Sequence, residues 1–345
     1  MSASSEKILV TGGAGFVGSE FVRQAITQGR RVVVADKITY AGDLKRLSDV
    51  RGRYVFYKTD ICDLKQLEAI VRRERPTVFA HFAAETHVDR SILDIFPFIR
   101  SNIIGTRNCI EAAHRYKIKK FLYISTDEVY GENLKGRRKE TAPLAPANPY
   151  AATKTCAEHL VRCGIEAYGF PAIIVRPCNI YGPWQYPEKF IPVVISRALK
   201  NRRIPIYGKG RQMREWLHVH DCAEAIDLVL QKGKSGEAYN IGSHFESTNL
   251  ETATQILQLL GKPCGLIQFV QDRSAHDFRY CVDSCKIRKL GWSPQFSFEQ
   301  GIGQTIDWHV RHLKWLESKL TALEQYRQLS TPHTPHTLRL PCGRK

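Results

Sequence analysis

Residues 7–18 read KILVTGGAGFVG and decide the fold. The first five are mostly apolar and typical of a buried strand, whereas residues 16–28 have the spacing of an amphipathic helix. Gly12, Gly15 and Gly18 allow a tight turn, a close backbone approach to a ligand and close packing of helix on sheet. The N-terminus of such a helix offers free N–H groups and a positive dipole end to a pyrophosphate. The stretch therefore predicts a strand–turn–helix unit that binds a dinucleotide.

Alternating strand and helix patterns continue as far as about residue 176. Further strands are predicted at 31–35, 54–57, 76–81, 120–125 and 172–176, and helices at 63–74, about 95–115 and 150–168. Apolar strands that alternate with amphipathic helices indicate a parallel sheet covered on both faces. We expect an α/β protein with a Rossmann-like, doubly wound parallel sheet and a smaller C-terminal substrate-binding lobe.

Prolines and glycines become frequent after residue 180, which is typical of loops and short strands. Helices are predicted in this part near 190–200, 221–232, 248–260 and 297–320. We expect residues 1–180 to form the dinucleotide-binding domain and carry the catalytic residues, and residues 181–320 mainly to bind the substrate. Residues 321–345 are rich in polar groups and proline, and we expect a disordered tail there.

Asp36 ends the second predicted strand, eighteen residues after Gly18. A carboxylate at this place binds ribose hydroxyls and repels a 2′-phosphate, which favours NAD over NADP. Lys37 is a neighbouring cation that favours the opposite choice. Asp60 ends the third strand, where it could face the adenine or, as an equal alternative, cap the following helix.

Residues 125–131 read STDEVYG, and Tyr150 and Lys154 follow on a predicted helix. Tyr150 and Lys154 are four residues apart and share a helix face, so Lys154 could lower the pKa of Tyr150 and make it a usable base. Asp127 and Glu128 are adjacent carboxylic acids, and in a closed site one of such a pair tends to be charged and the other neutral. The structural alternatives are a surface Tyr–Lys pair and an acid pair that caps a turn.

Together these motifs resemble the extended short-chain dehydrogenase/reductase family over about residues 6–318. Within it, Thr126–Glu128 resembles the nucleoside-diphosphate-glucose 4,6-dehydratases, whereas related sugar epimerases carry small residues at positions 127 and 128. The resemblance also rests on the stretches 81–91, 181–183, 187–192, 214–216 and 239–242. It implies an NAD-dependent lyase acting on dTDP-glucose, with UDP-glucose as the alternative because Trp184-Gln185 replaces the Tyr-His of many bacterial members. A UDP-sugar 4-epimerase or decarboxylase of the same family is a further alternative.

The resemblance implies a role for each catalytic side chain. Tyr150 takes the proton of the sugar 4-hydroxyl, and Thr126 hydrogen-bonds the 4-oxygen. Glu128 removes the proton at carbon 5, and protonated Asp127 delivers one to the departing 6-hydroxyl. Lys154 completes the catalytic set.

It also implies sets of ligand contacts and a partner. The cofactor set is Gly12, Gly15, Phe16, Val17, Gly18, Asp36, Lys37, Asp60, Ile61, Ala83, Ala84, Thr86, Tyr150 and Lys154. The substrate set is His87, Thr126, Asn179, Glu188, Lys189, Arg214, Asn249 and Arg273, in which Arg214 resembles an arginine that clamps the diphosphate. A homodimer is implied through helices 95–115 and 150–168, with apolar surface from Leu160, Val161 and Ile165.

Charge, cysteine content and apolar runs argue against several other classes of protein. The net charge of +17 comes from scattered lysines and arginines without a recognition helix, so we expect no nucleic-acid partner. The ten cysteines form no Cys-x-x-Cys pair, which favours reduced thiols and no metal site. No apolar run reaches the ~18–20 residues of a membrane helix, and no signal core precedes the first strand. We therefore expect a cytoplasmic protein without a membrane partner.

Overall fold

The computed structural model describes residues 6–272 and 276–329, and the side chains up to residue 324. The strands are β1 (Lys7–Thr11), β2 (Arg31–Asp36), β3 (Tyr54–Lys58), β4 (Val78–His81), β5 (Lys120–Ile124), β6 (Ala172–Pro177), β7 (Asn179–Tyr181), β8 (Ile204–Tyr207), β9 (Met213–His218), β10 (Ala238–Ile241), β11 (Glu246–Thr248) and β12 (Ile267–Val270). The helices are α1 (Phe16–Thr27), α2 (Leu64–Glu74), α3 (Val88–Leu93), α4 (Phe96–Phe98), α5 (Thr106–Arg115), α6 (Pro149–Tyr168), α7 (Phe190–Leu199), α8 (Val219–Lys232), α9 (Asn249–Leu259), α10 (Cys285–Arg288), α11 (Phe298–Arg311) and α12 (Leu313–Leu329).

A seven-stranded parallel sheet in the order β10-β6-β5-β4-β1-β2-β3 is the frame of the molecule. Its strands are apolar on both faces, as expected for a sheet covered by helices on each side. One face packs in a cluster with α1 and α8, and the other packs in a cluster with α2, α5 and α6. All carboxyl ends lie at one edge of the sheet, which is where α/β folds of this kind bind ligands. The predicted Rossmann-like α/β class is confirmed.

The large sheet does not end at residue 180, where the sequence predicted the boundary between the two domains. Strand β10 lies beyond that residue and pairs with β6 in parallel, and helix α8 packs against α1. The short run Ala238–Ile241 carries too little pattern to be recognised as a buried strand, because a run of four residues fits several structures. The chain therefore returns to complete the first domain after it has begun the second.

The smaller lobe is built around short strands. Strands β11, β9 and β7 form one sheet, and β12 pairs with β8 in another. Helices α7, α9 and α11 cover these sheets with a core of their own. This lobe stands over the carboxyl edge of the large sheet, since the loop after β6 leads directly into β7.

Three local expectations need correction. The predicted helix at 95–115 is divided into α4, a π-helical segment Ile99–Gly105 and α5. Residues 321–329 are helical rather than a disordered tail, because Leu316 and Leu323 of α12 are buried; residues 330–345 lie outside the described part. Val161 lies in the core instead of on the surface, because its position on α6 faces the sheet, and Ile165 packs against the same cluster.

A buried ion pair fixes helix α6 to the sheet. The guanidinium of Arg176 on β6 donates to both carboxylate oxygens of Glu158, with Nε 3.1 Å from Oε2, and Ser125 donates to Glu158 at 3.0 Å. Although burial opposes it, the Arg176 guanidinium holds the pKa of Glu158 below its usual range. Glu158 lies on the same helix as Tyr150 and Lys154. The Glu158–Arg176 ion pair therefore fixes the position of Tyr150 and Lys154 relative to the sheet.

Replacing Glu158 with Gln should destabilise the fold by about 3–5 kcal/mol, because the buried Arg176 charge loses its partner. The measurement is the free energy of unfolding in urea. Arg162→Ala is the matched control, since half-exposed Arg162 contacts the same Glu158 at 3.1 Å and should contribute less than about 1 kcal/mol. Equal losses in the two variants would contradict this interpretation.

Candidate active site

A large cavity of about 1250 Å³ opens at the carboxyl edge of the sheet. It is bounded by the loops after the strands on one side and by the smaller lobe on the other. It is lined by all described members of the predicted sets: Gly12, Gly15, Phe16, Val17, Gly18, Asp36, Lys37, Asp60, Ile61, Ala83, Ala84, Thr86, His87, Thr126, Asp127, Glu128, Tyr150, Lys154, Asn179, Glu188, Lys189, Arg214 and Asn249. Arg273 lies outside the described residues. The fold thus brings the predicted residues to one place.

The glycine loop leaves no room for side chains. A Cβ at Gly12, which has φ +73°, would lie 2.5 Å from the backbone nitrogen of Ala83, and one at Gly18 would lie 2.3 Å from the carbonyl oxygen of Gly12. Helix α1 then begins at Phe16 without a side-chain cap on its first N–H groups. Free N–H groups at a helix N-terminus, next to a surface without Cβ atoms, fit the diphosphate of a dinucleotide.

Asp36 is positioned by backbone groups at the end of β2. Its Oδ2 accepts the N–H of Ala14 at 2.9 Å, and its Oδ1 accepts the N–H of Ile38 at 2.8 Å. Burial raises the pKa of Asp36, while these two hydrogen bonds oppose the rise. The carboxyl is therefore held in place against the glycine loop, at the position expected for contact with ribose hydroxyls.

Asp60 pairs with the cation beside Asp36. Lys37 Nζ lies 2.7 Å from Asp60 Oδ2, so the lysine charge is neutralised rather than left for a 2′-phosphate. Helix α2 is capped by Asp63, whose Oδ1 accepts the N–H of Gln66 at 3.0 Å. The capping alternative for Asp60 is therefore wrong, because the true cap stands three residues later.

Asp127 is a buried carboxylic acid at the start of a short 3₁₀ helix, Asp127–Tyr130, that follows β5. The side chain of Asp127 accepts from the Thr126 hydroxyl at 3.2 Å through Oδ1, whereas its buried Oδ2 has no hydrogen-bond partner among the described residues. Burial, and then the negative charge of Glu128, raise the pKa of Asp127 well above its usual range. A neutral carboxylic acid with one free oxygen is suited to donate a proton to a ligand.

Glu128 is held differently from its neighbour. Its Oε2 accepts from Asn148 Nδ2 at 3.0 Å, and it is less buried than Asp127. Asn148 also caps helix α6, with its Oδ1 accepting the N–H of Ala151 at 2.8 Å. One residue thus fixes both the start of the helix that carries Tyr150 and the carboxylate of Glu128.

Tyr150 and Lys154 lie on one face of α6 and both line the cavity. Burial, and then the charge of Glu128, raise the pKa of Tyr150, with a hydrogen bond to Thr126 opposing. Lys154 Nζ donates to the carbonyl oxygen of Ile124 at 2.6 Å, and burial lowers its pKa to about 7. Lys154 thus binds the end of β5 in this structure, and its effect on the pKa of Tyr150 stays a prediction.

Three predicted substrate residues form a network with two that the sequence did not single out. Glu188 accepts from the Tyr40 hydroxyl at 3.0 Å and forms an ion pair with Arg90, whose Nη2 lies 2.9 Å from Glu188 Oε2; His87 Nε2 lies 3.7 Å from the same oxygen. Lys189 donates to the carbonyl of Thr86 at 2.7 Å. Arg90 is part of the stretch 81–91, but nothing in the pattern indicates that it pairs with a residue almost a hundred positions later.

The remaining substrate residues come from the smaller lobe. Arg214 on β9 donates to the carbonyl oxygens of Met213 and Asp277 at 2.7 and 3.0 Å, and its guanidinium stacks on Tyr280. Asn179 starts β7, with a buried Oδ1 that has no partner among the described residues, and Asn249 starts α9. These groups place a cation and amides on the wall opposite the glycine loop.

Residues 6–272 and 276–329 contain no group of three or more histidine, cysteine or acidic side chains that could hold a metal ion. No helix in the same residues is long and apolar enough to cross a membrane.

A parallel sheet with a glycine loop, a ribose-binding acid and a Tyr–Lys helix at one edge defines a Rossmann-type dinucleotide enzyme. The model of the NAD dependent epimerase/dehydratase family matches residues 8–242, and the chain belongs to this family. NAD as the predicted cofactor is thereby confirmed.

Named relatives are similar along nearly the whole chain. A dTDP-glucose 4,6-dehydratase of Neisseria meningitidis serogroup B is 45% identical, with 94% of this chain and 99% of the relative covered. The solved structure of DesIV, a dTDP-glucose 4,6-dehydratase from Streptomyces venezuelae with NAD bound, has a TM-score of 0.88 at 40% identity and covers 91% of this chain and 99% of its own. A UDP-glucose 4-epimerase from Thermus thermophilus has a TM-score of 0.83 at 31% identity, covering 88% and 98%. The fold alone therefore fits both activities, and the side chains must distinguish them.

Burial of Lys154 should make stability depend on pH. The unfolded chain keeps the ordinary pKa of 10.5, so between pH 7 and 10.5 it binds more protons than the folded chain, and stability rises with pH in this window. Burying the charged Lys154 costs a few kcal/mol of folding free energy, and Lys154→Met removes this cost. The gain over wild type in the free energy of unfolding should be complete below pH 7 and shrink towards zero as the pH approaches 10.5.

The measurement is urea unfolding of NAD-depleted protein at several pH values across this window. Lys314→Met is the matched control, because Lys314 is exposed on α12. A gain for Lys154→Met that stays constant with pH would show that the lysine is charged in the folded protein throughout.

Proposed function

We propose that this chain catalyses the NAD-dependent dehydration of dTDP-glucose to dTDP-4-keto-6-deoxyglucose. The reaction comprises oxidation at carbon 4, loss of the 6-hydroxyl and return of hydride to carbon 6. The observation that carries the proposal is the environment of Asp127, a buried acid with a raised pKa beside Glu128 in the cavity that also holds Tyr150. Elimination of water needs both an acid and a base at neighbouring carbons, and this pair can supply them.

The relatives support the same reaction. Those reported above from Neisseria meningitidis and Streptomyces venezuelae carry the name dTDP-glucose 4,6-dehydratase. A 4-epimerase needs no proton for a leaving hydroxyl, so it has no use for an acid with a free buried oxygen. We therefore prefer the dehydratase to the epimerase and decarboxylase alternatives.

Each step has a side chain suited to it. Tyr150, once ionised, accepts the proton of the 4-hydroxyl, and Thr126 hydrogen-bonds the same oxygen. The 4-ketone acidifies the proton at carbon 5, which Glu128 removes. Neutral Asp127 then donates its proton to the departing 6-hydroxyl, and water leaves. When hydride is returned to carbon 6, protonated Glu128 gives its proton back to carbon 5. The proton that Tyr150 took from the 4-hydroxyl passes to solvent, from which Asp127 is protonated again.

The residues around the cofactor loop fit NAD. NAD⁺, when bound, accepts hydride from carbon 4, returns it to carbon 6 and adds a positive charge that favours the phenolate of Tyr150. Asp36 and the glycine loop would hold the ribose and the diphosphate of the dinucleotide. Lys154, released from Ile124, would be free to reach a ribose hydroxyl or Tyr150.

Two sequence departures bear on the nucleotide base. Gln185 Nε2 donates to the carbonyl oxygen of Ile180 at 2.8 Å, and the ring of Trp184 packs against Trp308 with centroids 4.6 Å apart. Both residues thus have protein partners, so their presence is weak support for UDP-glucose. The named relatives favour dTDP-glucose, and Arg214 would bind the diphosphate of either.

We propose a homodimer whose interface includes the first part of the predicted 95–115 helix, together with the end of α3 before it. Leu93 and Phe96 are 86% and 69% exposed on α3 and α4, and Ile104 is exposed in the π-helical segment that follows α4. Large apolar side chains grouped on a surface are typical of protein interfaces. The site of action is proposed to be the cytoplasm, because all nine described cysteines are free thiols, as expected in a reducing compartment.

The function is tested by incubating the purified enzyme with dTDP-glucose and UDP-glucose separately, without added NAD. We expect a 4-keto-6-deoxy sugar from dTDP-glucose at the higher rate, with no net reduction of NAD, because hydride leaves and returns within one turnover. The product is followed by its absorbance in alkali and by mass loss of one water. Formation of a 4-epimer without loss of water would overturn the proposal.

The roles of the two acids and the tyrosine can be separated. Asp127→Asn keeps the shape but removes the proton donor, so loss of water should slow by ~10²–10⁴ while oxidation at carbon 4 continues. This variant should accumulate the absorbance of reduced nicotinamide on the enzyme, whereas Tyr150→Phe should give neither that absorbance nor product. An Asp127→Asn enzyme that dehydrates at the wild-type rate would assign Asp127 a structural role.

The oligomeric state is tested by light scattering at micromolar concentration. Wild type should be dimeric, and the double variant Leu93→Lys and Phe96→Lys should be monomeric, because two charges cannot be buried unpaired in an interface. Phe269→Lys is the matched control, since Phe269 is exposed on β12 of the smaller lobe. A monomeric wild type, or a dimeric double variant, would exclude this surface.

A further inference from the structure

Helix α12 lies across the cavity between its two walls. Residues of its inner face line the cavity: Glu317, Leu320, Thr321, Leu323 and Glu324. Contacts with Asp43 and Arg46 tie the helix to the cofactor side, and contacts with Trp184 and Lys200 tie it to the smaller lobe. The helix lies beyond residues 8–242, the part matched by the family model.

Asp43 is the anchor on the cofactor side. Its Oδ2 accepts from Trp315 Nε1 at 2.9 Å and from Lys319 Nζ at 2.8 Å. Its Oδ1 accepts the N–H of Lys45 at 2.9 Å. Asp43 is therefore held by α12 on one side and by its own loop on the other.

That loop is bonded to the glycine loop. The N–H of Asp43 donates to the carbonyl oxygen of Ala14 at 3.0 Å, and Nη1 of buried Arg46 donates to the same oxygen at 2.9 Å. The N–H of Ala14 is in turn held by Asp36 at 2.9 Å. Three contacts thus fix Ala14, between Gly12 and Gly18, and two of them come from the segment that α12 holds.

Arg46 also connects this segment to the smaller lobe. Its Nε and Nη2 donate to the carbonyl oxygen of Trp184 at 3.1 and 3.0 Å, and its guanidinium lies over the ring of Trp315. The Trp184 ring packs edge-on against Trp315 with centroids 5.3 Å apart. On the side of the smaller lobe, Glu317 pairs with Lys200 at the end of α7, at 3.4 Å.

We propose that α12 is a strap that retains the dinucleotide, with Trp315 and Lys319 as positioning residues. By holding Asp43, they hold residues 39–46 against the glycine loop, and Thr39, Ala41 and Gly42 of this segment line the cavity. The dinucleotide leaves only when the strap and this segment move together. The proposal rests on the proposed function, since an enzyme that oxidises and reduces within one turnover needs its NAD to stay bound.

The test is the rate at which bound NADH leaves the full-length protein. Wild type loaded with NADH is mixed with excess NAD⁺, and the fluorescence of protein-bound NADH is followed. The double variant Glu317→Ala and Lys319→Ala removes both ion pairs of the strap, and Trp315→Phe keeps a ring but removes the N–H that Asp43 accepts. Each should release NADH about fivefold faster than wild type.

The matched control is the double variant Glu299→Ala and Lys314→Ala, which removes the same charges from exposed positions of α11 and α12. It should release NADH at the wild-type rate, within about twofold. In the strap variants, turnover without added NAD should fall as the cofactor is lost, and adding NAD should raise it again.

Unchanged release in both strap variants would overturn the proposal. So would lower melting temperature and lower turnover at saturating NAD with unchanged release, because that combination identifies α12 as a purely structural element. Release is measured without any sugar nucleotide, so it reports on the strap even if dTDP-glucose proves not to be the substrate. Failure of the proposed function would appear instead as absence of keto-sugar product from the wild-type enzyme.

Discussion

Burial of the Asp127 carboxyl is the constraint on which the arrangement of this site depends. An acid that is 2% exposed and adjacent to Glu128 stays neutral, because ionisation would place a second negative charge where water cannot solvate it. The smaller lobe takes part in this, since Glu215 of β9 raises the pKa of Asp127 and Arg214 lowers it. Both lobes therefore act on the pKa of Asp127, with burial as the largest cause and Glu128 next.

The large sheet positions the catalytic side chains around Asp127. Strand β5 delivers Thr126 and the two acids to the sheet edge, and α6 delivers Tyr150 and Lys154 to the same place. The Glu158–Arg176 pair fixes the height of α6, and Asn148 links its first turn to Glu128. On the other side, the glycine loop is fixed through Ala14 by Asp36 and by the segment under α12. The oxidising half and the dehydrating half of the site are thus each held by buried polar contacts.

Much of this could be predicted from the sequence, because strand–glycine–helix patterns and acid–tyrosine–lysine spacing are local. The cavity contains all described residues of the predicted sets for that reason. Long-range contacts could not be predicted: β10 completes the sheet from beyond residue 180, and Arg90 pairs with Glu188, which is almost a hundred positions away in the sequence. The direction of individual side chains could not be predicted either: Lys154 binds the carbonyl oxygen of Ile124, and Val161 faces the core. Such details depend on which neighbours the fold supplies, and spacing along the chain does not contain them.

We expect Asp127 to be protonated at neutral pH in the enzyme that carries NAD. Infrared difference spectroscopy of wild type against Asp127→Asn isolates the carbonyl stretch of this one carboxylic acid, and a pH titration follows it. The structure predicts a protonated-carboxyl band that is present at pH ~7 and disappears only at a pH well above the ordinary range of aspartic acids. A band that is absent at neutral pH, with the carboxylate signal in its place, would contradict the account.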